Sequence, residues 1–390
     1  MTAGPLPEVR VGARGAARVR SSHPWVFRDD LARGAAGNGD VVRVTTEHGQ
    51  GLGYAFYSTS SKIALRMISR GEDPPDDGFW GGRVGNALAH RDLVVRGTDA
   101  CRIVFGESDG IPGLVADRYG RHVVVQPLTA GAERVLEAVL AAVLERIEME
   151  SVLLRNDPAV RSLEGLPREV VQLRGRTPEA IEVHEGPIRY LVDPWRGQKT
   201  GAFLDQRENR SAAASYSRGR ILDVFSYHGC FALHAAAKAD QVIAVEASAE
   251  AVTRGRANAE ANGLRNVSFV EANAFDDLRA RGRRGEKFDT IFLDPPAFAK
   301  SRADIPAARR GYKEINLRAM QLLSPGGVLV TSSCSYNLGE EELLELLSSS
   351  ASDAHLRFRL VEKRTQARDH PIRLGFPESH YLKCLVLRLM

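Results

Sequence analysis

Residues 220–247 read "RILDVFSYHGCFALHAAAKADQVIAVEA". "RILDVF" is an apolar strand interrupted by one acid, "FALHAAAKA" has the composition of a buried helix, and "QVIAVEA" is a second apolar strand. The alternation continues downstream. A helix "SAEAVTRGRANAEANG", opened by Ser248 and closed by Gly263, leads to the strands "VSFVEA" and "FDTIFLDPP". The helix "PAARRGYKEINLRAMQLL", the strand "GGVLVTSSCS" and the helix "EEELLELLSSSA" follow. Apolar strands separated by helices predict a parallel sheet covered on both faces, the doubly wound α/β layout. Ligands of such sheets sit at the carboxyl ends of the strands.

The first strand opens into a loop with one glycine, Gly229, where a dinucleotide fingerprint has three. Those glycines admit a pyrophosphate to the helix N-terminus, so their absence argues against NAD and FAD, and no P-loop is present. What remains is Asp223 at the first strand end and Glu246 at the second, the latter placed for a ribose diol. This combination suits S-adenosylmethionine. The fourth strand supports it: "FLDPPAF" ends an apolar run with Asp294 and two prolines that remove backbone donors and stiffen the exit.

Residues 331–340, "TSSCSYNLGE", end the fifth strand on Cys334. That cysteine could be a small apolar plug, a metal ligand or a nucleophile. Beside Asp294 the nucleophile reading has a chemical reason. Carbon 5 of a pyrimidine is a poor nucleophile until a thiolate adds at carbon 6, and a carboxyl group at ring nitrogen 3 assists the addition. The bland reading is a buried small hydrophobe, which is how Cys101, Cys230 and Cys384 are assigned. The four cysteines have no paired spacing, so neither a zinc site nor a disulfide framework is expected.

Upstream, the pattern changes. "VRVGARGAARVRSSHPWVF" and "GDVVRVTTEHGQGLGYAFYS" are short apolar runs broken by turns, which predicts a small β-barrel rather than helices over residues 9–68. Ten Lys or Arg stand against five acids in residues 1–70, so a polyanion would be met mainly there. Next come a helix over "FWGGRVGNALAHRDLVV", two strands around the turn in "CRIVFGESDGIPGLVADRYGRHVVVQ", and one helix over "GAERVLEAVLAAVLERIE", together an α+β unit. The 390 residues, 43% hydrophobic, are ample for several domains. No run approaches a membrane span and no secretory signal opens the chain, which predicts a cytoplasmic protein.

Taken together, "HPWVF" (23–27), "GESDGIPGLVADRYG" (106–120), "KTGAFLDQR" (199–207), "DVFSYHGCFALHA", "FLDPPAFAKS" (292–301), "RGYKEIN" (310–316), "TSSCS" and "YLKC" (381–384) closely resemble bacterial 23S ribosomal RNA large-subunit cytosine-5 methyltransferases of the RlmI type. The resemblance covers nearly the whole chain. It implies a PUA-like RNA-binding β-barrel over 1–72, a central α+β domain over 73–190, and a Rossmann-like class I S-adenosylmethionine methyltransferase domain over 191–390. It implies Cys334 and Asp294 as catalytic residues. Gln206, Arg207, Asp223, Phe225, Ser226, Gly229, Glu246, Asn273 and Asp294 would hold the cofactor, while Pro295, Phe298, Lys300, His23 and Trp25 would meet RNA. His228 and Cys230 stand where the family carries threonine and glycine, and Asn273 where an acid is common. Ala297 follows the prolines where other RNA cytosine-5 methyltransferases place a second cysteine, implying one-cysteine chemistry.

The expected partner is 23S ribosomal RNA, with a homodimer as an option and with neither membrane nor metal. Two rival readings are a guanine methyltransferase in which Cys334 is inert and a non-catalytic RNA-binding assembly factor. The basic run "RARGRRGEK" (279–287) is expected to be a solvated loop rather than an RNA contact.

Overall fold

A computed structural model describes residues 6–298 and 304–390. The chain divides into two compact units: one runs to Val183 and adds Val192–Leu204 and Arg368–Ser379, and the other comprises His184–Leu191, Asp205–Ala367 and His380–Met390.

The second unit is built on a seven-stranded sheet. Its strands are β1 (Gly219–Val224), β2 (Ala239–Glu246), β3 (Val267–Glu271), β4 (Phe288–Leu293), β5 (Leu323–Ser333), β6 (Phe358–Arg364) and β7 (Lys383–Leu389). The spatial order is β3-β2-β1-β4-β5-β7-β6. The first five strands are parallel, and β7 runs antiparallel to both β5 and β6. Order reverses between β1 and β4, the switch point at which a doubly wound sheet opens its binding crevice. Helices α1 (Arg207–Tyr216), α2 (Cys230–Ala235), α3 (Ala249–Ala261), α4 (Ala274–Arg283), α5 (Ile305–Gln321) and α6 (Glu340–Asp353) connect the strands.

Each expected parallel strand is present, because an uninterrupted apolar run can be buried only on a two-sided sheet. Leu222, Val224, Val245, Ile291, Leu293 and Leu329 are buried with Tyr312, Ile315 and Met320 from α5. Helix α3 starts where Ser248 accepts the amide of Ala251 at 3.3 Å, and it stops before Gly263, which adopts φ 67°. The basic run 279–287 is the end of α4 as far as Arg283, and only its last four residues form the loop that leads into β4. Its Arg281 is buried against Asp277 (2.6 Å) and Glu286 (3.0 Å), so that arginine is spent internally.

In the first unit, six strands between Glu8 and Ser69 form one sheet, with Glu8–Val11 parallel to Val41–Thr46. The expectation of strands without helices is corrected at "ARGAARVR", which is a helix, Ala13–Arg20. Its glycine is a packing residue and not a turn. A Cβ at Gly15 would stand 3.1 Å from Val11 Cβ and 3.2 Å from Asp30 Cβ and Val26 Cγ1.

The second sheet of this unit has five strands, and "CRIVFGESDGIPGLVADRYGRHVVVQ" supplies three rather than two: Ala100–Phe105, Leu114–Tyr119 and His122–Pro127. The extra reversal is a tight turn at Gly120, φ 57°. The helix expected over "GAERVLEAVLAAVLERIE" is broken at Val135, giving Ala130–Arg134 and Leu136–Leu144. Val135, Val139, Leu140 and Val143 are buried, with Leu144 and Ile147 packed at the margin. Among the described residues, no helix is long and apolar enough to cross a membrane, and no cluster of three or more His, Cys, Asp or Glu could hold a metal ion.

Candidate active site

Register brings the chemistry together. Val224 pairs with Leu293 and Leu293 with Thr331, so β1, β4 and β5 end side by side and release Phe225, Asp294 and Cys334 at one rim. Glu246 ends β2 on the same side.

Asp223 is fully buried, and its Oδ2 accepts the amide of Ala232 at 3.1 Å, while Oδ1 has no partner among the described residues. Burial pushes its carboxyl up to about 8, aided by the negative charge of Asp294 and Glu246 and opposed by that amide. The loop that follows is tightly wound. Phe225 (φ 65°) and Tyr227 (φ 50°) are left-handed, an uncommon conformation for aromatic residues, and Gly229 follows at φ 78°. Substitution at Gly229 is blocked by the Phe269 ring, 2.5 Å from the position of a Cβ. Ser226 Oγ is buried without a partner among the described residues. Glu246 is fixed by three backbone amides, those of Tyr227 (3.0 Å), Ala247 (2.8 Å) and Ser248 (2.9 Å).

Asn273 caps α4 with its side-chain oxygen, accepting from Phe275 (3.0 Å) and Asp276 (3.4 Å). Its carbonyl is thus already engaged, and the amide NH2 is its remaining handle on a ligand. Gln206 Nε2 donates to Asp294 Oδ1 at 2.8 Å, and Asn209 Nδ2 donates to Gln206 Oε1 at 2.6 Å. Arg207 is buried, 3.6 Å from Glu208. Phe298 packs on Tyr312 (4.7 Å), Phe275 (6.0 Å) and Phe225 (6.4 Å), an aromatic cluster joining the loops after β1 and β4. Pro295 is buried behind it. Lys300 lies outside the described residues.

Cys334 is half-buried, its Sγ 3.9 Å from the Pro295 carbonyl. The neighbour that sequence reasoning missed is Lys383. Ser333 pairs with Lys383 across β5 and β7, and the buried Nζ donates to Ser335 O (2.8 Å) and Tyr381 O (3.1 Å). Burial lowers its ammonium to about 8, against the opposing pull of Cys334, Glu340 and Glu342. The motif "YLKC" contained it, but nothing in a strand sequence says which other strand it pairs with. On the far side, the Tyr312 hydroxyl bridges Ser333 Oγ (3.1 Å) and Ser335 Oγ (3.0 Å).

A second missed group lies beneath the loop. Glu185 accepts from Arg210 Nε (2.7 Å) and Nη2 (2.5 Å), His234 Nε2 lies at 2.9 Å and the Tyr190 hydroxyl at 3.2 Å, all buried. Although burial opposes ionisation, Arg210 and His234 hold the Glu185 carboxyl down to about 2. A histidine in the otherwise apolar helix α2 was the available signal. Cys230 and Cys384 are each pushed up to about 12 by burial, which leaves them inert as nucleophiles.

His23 and Trp25 are half-buried and tied to neighbours within the first unit. Trp25 Nε1 donates to Glu107 Oε1 at 2.7 Å, Arg66 donates to the same oxygen at 2.6 Å, and Phe376 packs edge-on at 4.8 Å. His23 Nδ1 accepts the Trp25 amide at 3.1 Å, and its Nε2 lies 3.2 Å from Glu378.

The rim fits S-adenosylmethionine. Three carboxylates, Asp223, Glu246 and Asp294, gather where a sulfonium and an ammonium would bring positive charge, and two buried polar atoms, Asp223 Oδ1 and Ser226 Oγ, await a partner.

Residues 166–372 match the family model of S-adenosylmethionine-dependent methyltransferases, and residues 9–70 match that of PUA-like domains. Among curated proteins, ribosomal RNA large subunit methyltransferase I of Aeromonas hydrophila is 41% identical over 377 residues, 94% of this chain and 95% of that protein. The protein of the same name from Escherichia coli O9:H4 is 38% identical over 380 residues, 94% and 96% of the two chains. Among solved structures, a candidate S-adenosylmethionine-dependent methyltransferase from Streptococcus mutans matches with TM-score 0.84 at 20% identity, covering 98% of this chain and 99% of its own. A candidate methyltransferase in complex with SAH matches over the same shares with TM-score 0.85, also at 20% identity. Those two neighbours speak to the fold; the curated relatives and the family models speak to descent. A reversed-strand sheet with an acidic rim, a PUA-like head and end-to-end similarity to these relatives place the chain in the family of ribosomal RNA large subunit methyltransferase I proteins, which are S-adenosylmethionine-dependent methyltransferases.

Proposed function

We propose that the chain methylates carbon 5 of a cytosine in 23S ribosomal RNA through a covalent adduct to Cys334. The observation that carries this reading is a half-buried thiol beside the exit of β4, with its Sγ 3.9 Å from the carbonyl of Pro295, the residue after Asp294. The name shared by the curated relatives supports ribosomal RNA as the substrate class. Residues 1–72 are read as the RNA-holding head, 73–190 as a connecting α+β domain and 191–390 as the methyltransferase domain. Acting on ribosomal RNA, the protein would work in the cytoplasm.

S-adenosylmethionine, when bound, supplies an electrophilic methyl group; Asp223, Ser226 and Glu246 would hold it, with Gln206, Arg207, Phe225, Gly229, Asn273 and Asp294 around it. Cys334 Sγ forms a bond to carbon 6 of a flipped-out cytosine, while Asp294 hydrogen-bonds or protonates ring nitrogen 3. Carbon 5 then gains enamine character and takes the methyl group. Loss of the carbon-5 proton to a base breaks the Sγ–C6 bond and restores the ring. Lys383 acts on the thiol through space: its ammonium, buried behind the strand end, favours the thiolate. Gln206 orients Asp294 by donating to Oδ1.

The test uses purified protein, methyl-labelled cofactor and ribosomal RNA from cells lacking the enzyme, with nucleoside analysis after digestion. Label in 5-methylcytidine, absent with Cys334→Ala, is the expected result. Label in a guanosine derivative from a still-active Cys334→Ala variant would sink the thiol mechanism.

A further inference from the structure

A cavity of about 410 Å3 in the first unit is walled by Arg83, Asn86 and His90 from the helix Asp77–Val94, by Asp109 and Gly110, and by Arg373. Its two arginines are held from behind by neutral groups. Arg83 donates to the carbonyl of Ile68 at 3.3 Å and lies 4.8 Å over the Phe79 ring. Gly110, at φ 72°, lets that guanidinium rest on the backbone, for a Cβ there would stand 3.0 Å from Arg83 Nη1. Arg373 donates to the carbonyl of Glu107 at 2.6 Å. Burial disfavours the Arg373 guanidinium, as do the charges of Arg70 and Arg83, against the pull of Glu107; the acceptors of Arg70 are the Val19 carbonyl and Ser22 Oγ.

The acid on the wall does not neutralise them. Asp109 gives both oxygens to Arg91 (2.6 and 2.7 Å), and Oδ2 also accepts the Phe105 amide at 2.6 Å. The Glu107 carboxylate is likewise taken by Arg66 and Trp25. His90 Nε2 lies 3.0 Å from the Arg368 carbonyl. Among the described residues, Arg70, Arg83 and Arg373 have only neutral hydrogen-bond acceptors. Partly buried like charges with fixed forks, none of them hydrogen-bonded to a carboxylate among the described residues, form a receptor for an oxyanion, which arginine recognises with paired N–H groups.

We propose that Arg83 and Arg373, with Arg70 at the rim, bind a backbone phosphate of the RNA substrate. The proposal rests on ribosomal RNA being the substrate. It assigns an RNA contact to this cavity, and its role is to hold register, since a phosphate contact carries no sequence information.

The test measures binding of full-length protein to a labelled transcript of large-subunit ribosomal RNA across a salt series. Arg83→Gln and Arg373→Gln are each expected to weaken binding about threefold to tenfold at 0.1 M salt and to reduce the slope of log K against log salt by about 1. Arg83→Lys should restore most of the slope. Exposed Arg70→Gln, which leaves the packing untouched, should lower it in the same direction. Thermal protection by inorganic phosphate should be present in the wild type and lost in Arg83→Gln. An unchanged slope in all three Gln variants would overturn the proposal, and so would phosphate protection with no effect on RNA, which would mark a free-anion site. Failure of the wild type to hold any ribosomal RNA would instead refute the substrate reading on which the proposal depends.

Discussion

Gln206 and Asp294 are joined by a 2.8 Å hydrogen bond from Nε2 to Oδ1, linking the residue just before α1 to the residue that leaves β4. Asn209 holds the Gln206 oxygen at 2.6 Å, and Arg364, at the end of β6, holds the Asn209 oxygen at 3.0 Å. The acid is therefore oriented by a relay of fixed amides. Gln206→Ala is expected to lower kcat by about 10- to 100-fold, the usual cost of loosening one positioning contact, with correct folding. Steady-state kinetics with melting as a control checks this; an unchanged kcat would show that Asp294 needs no orientation.

Asp223 predicts a pH dependence of the ligand-free protein. Its folded carboxyl titrates near 8 and its unfolded one in the ordinary carboxylate range, so the folded state retains a proton that the unfolded state has lost. The stability this gives is complete at acid pH and is lost as pH rises through about 8. Asp223→Asn should therefore melt several degrees higher than wild type at pH 8.5 and nearly the same at pH 4, measured without ligand. The same variant should bind S-adenosylmethionine about tenfold or more weakly, having lost a charge-assisted hydrogen bond.

Lys383 predicts the reactivity of the thiol. With its ammonium removed in Lys383→Met, the rate of Cys334 alkylation by iodoacetamide at pH 7.5 should fall about tenfold, and its pH profile should move to higher pH by about one unit. Lys383→Arg should restore part of the rate. Peptide mass mapping separates Cys334 from the buried cysteines, and an unmoved profile would exclude the electrostatic role.

The Glu185, Arg210 and His234 group predicts a stability effect without a chemical one. Glu185→Gln leaves a buried guanidinium without its counter-ion, a change that costs about 3–5 kcal/mol. Denaturant melts should show the second unit unfolding first. Activity per folded molecule should stay near that of wild type at low temperature.

How much of this was written in the sequence depends on whether a residue acts through its own strand or through another. The parallel strands β1 to β5 were legible because burial on both faces forces long apolar runs, and Asp223, Glu246, Asp294 and Cys334 followed as strand-end residues. The helix at 13–20 was not, because Gly15 looked like a break and its true partners, Val26 and Asp30, are known only from the folded chain. Lys383 and Glu185 escaped for the same reason: a charge in a strand gives no hint of its partner until register is known. Trp25 stayed ambiguous because an aromatic in a basic segment suits both stacking on a base and packing on Arg66, and its bond to the Glu107 carboxylate shows only in the folded chain.

The reversed strand β7 has a dynamic consequence. Asp294 and Cys334 sit where strands exit into loops, whereas Lys383 sits where a strand begins, paired to β5 through Ser333 and to β6 through the next residue, Cys384, opposite Arg364. A residue clamped between two neighbours follows the sheet, and residues at loop entrances follow the loops. The charge that tunes the thiol is thus anchored to the rigid frame, and Asp294 is tied to the same frame through Gln206, Asn209 and Arg364, so of the three groups it is the thiol that moves with its loop.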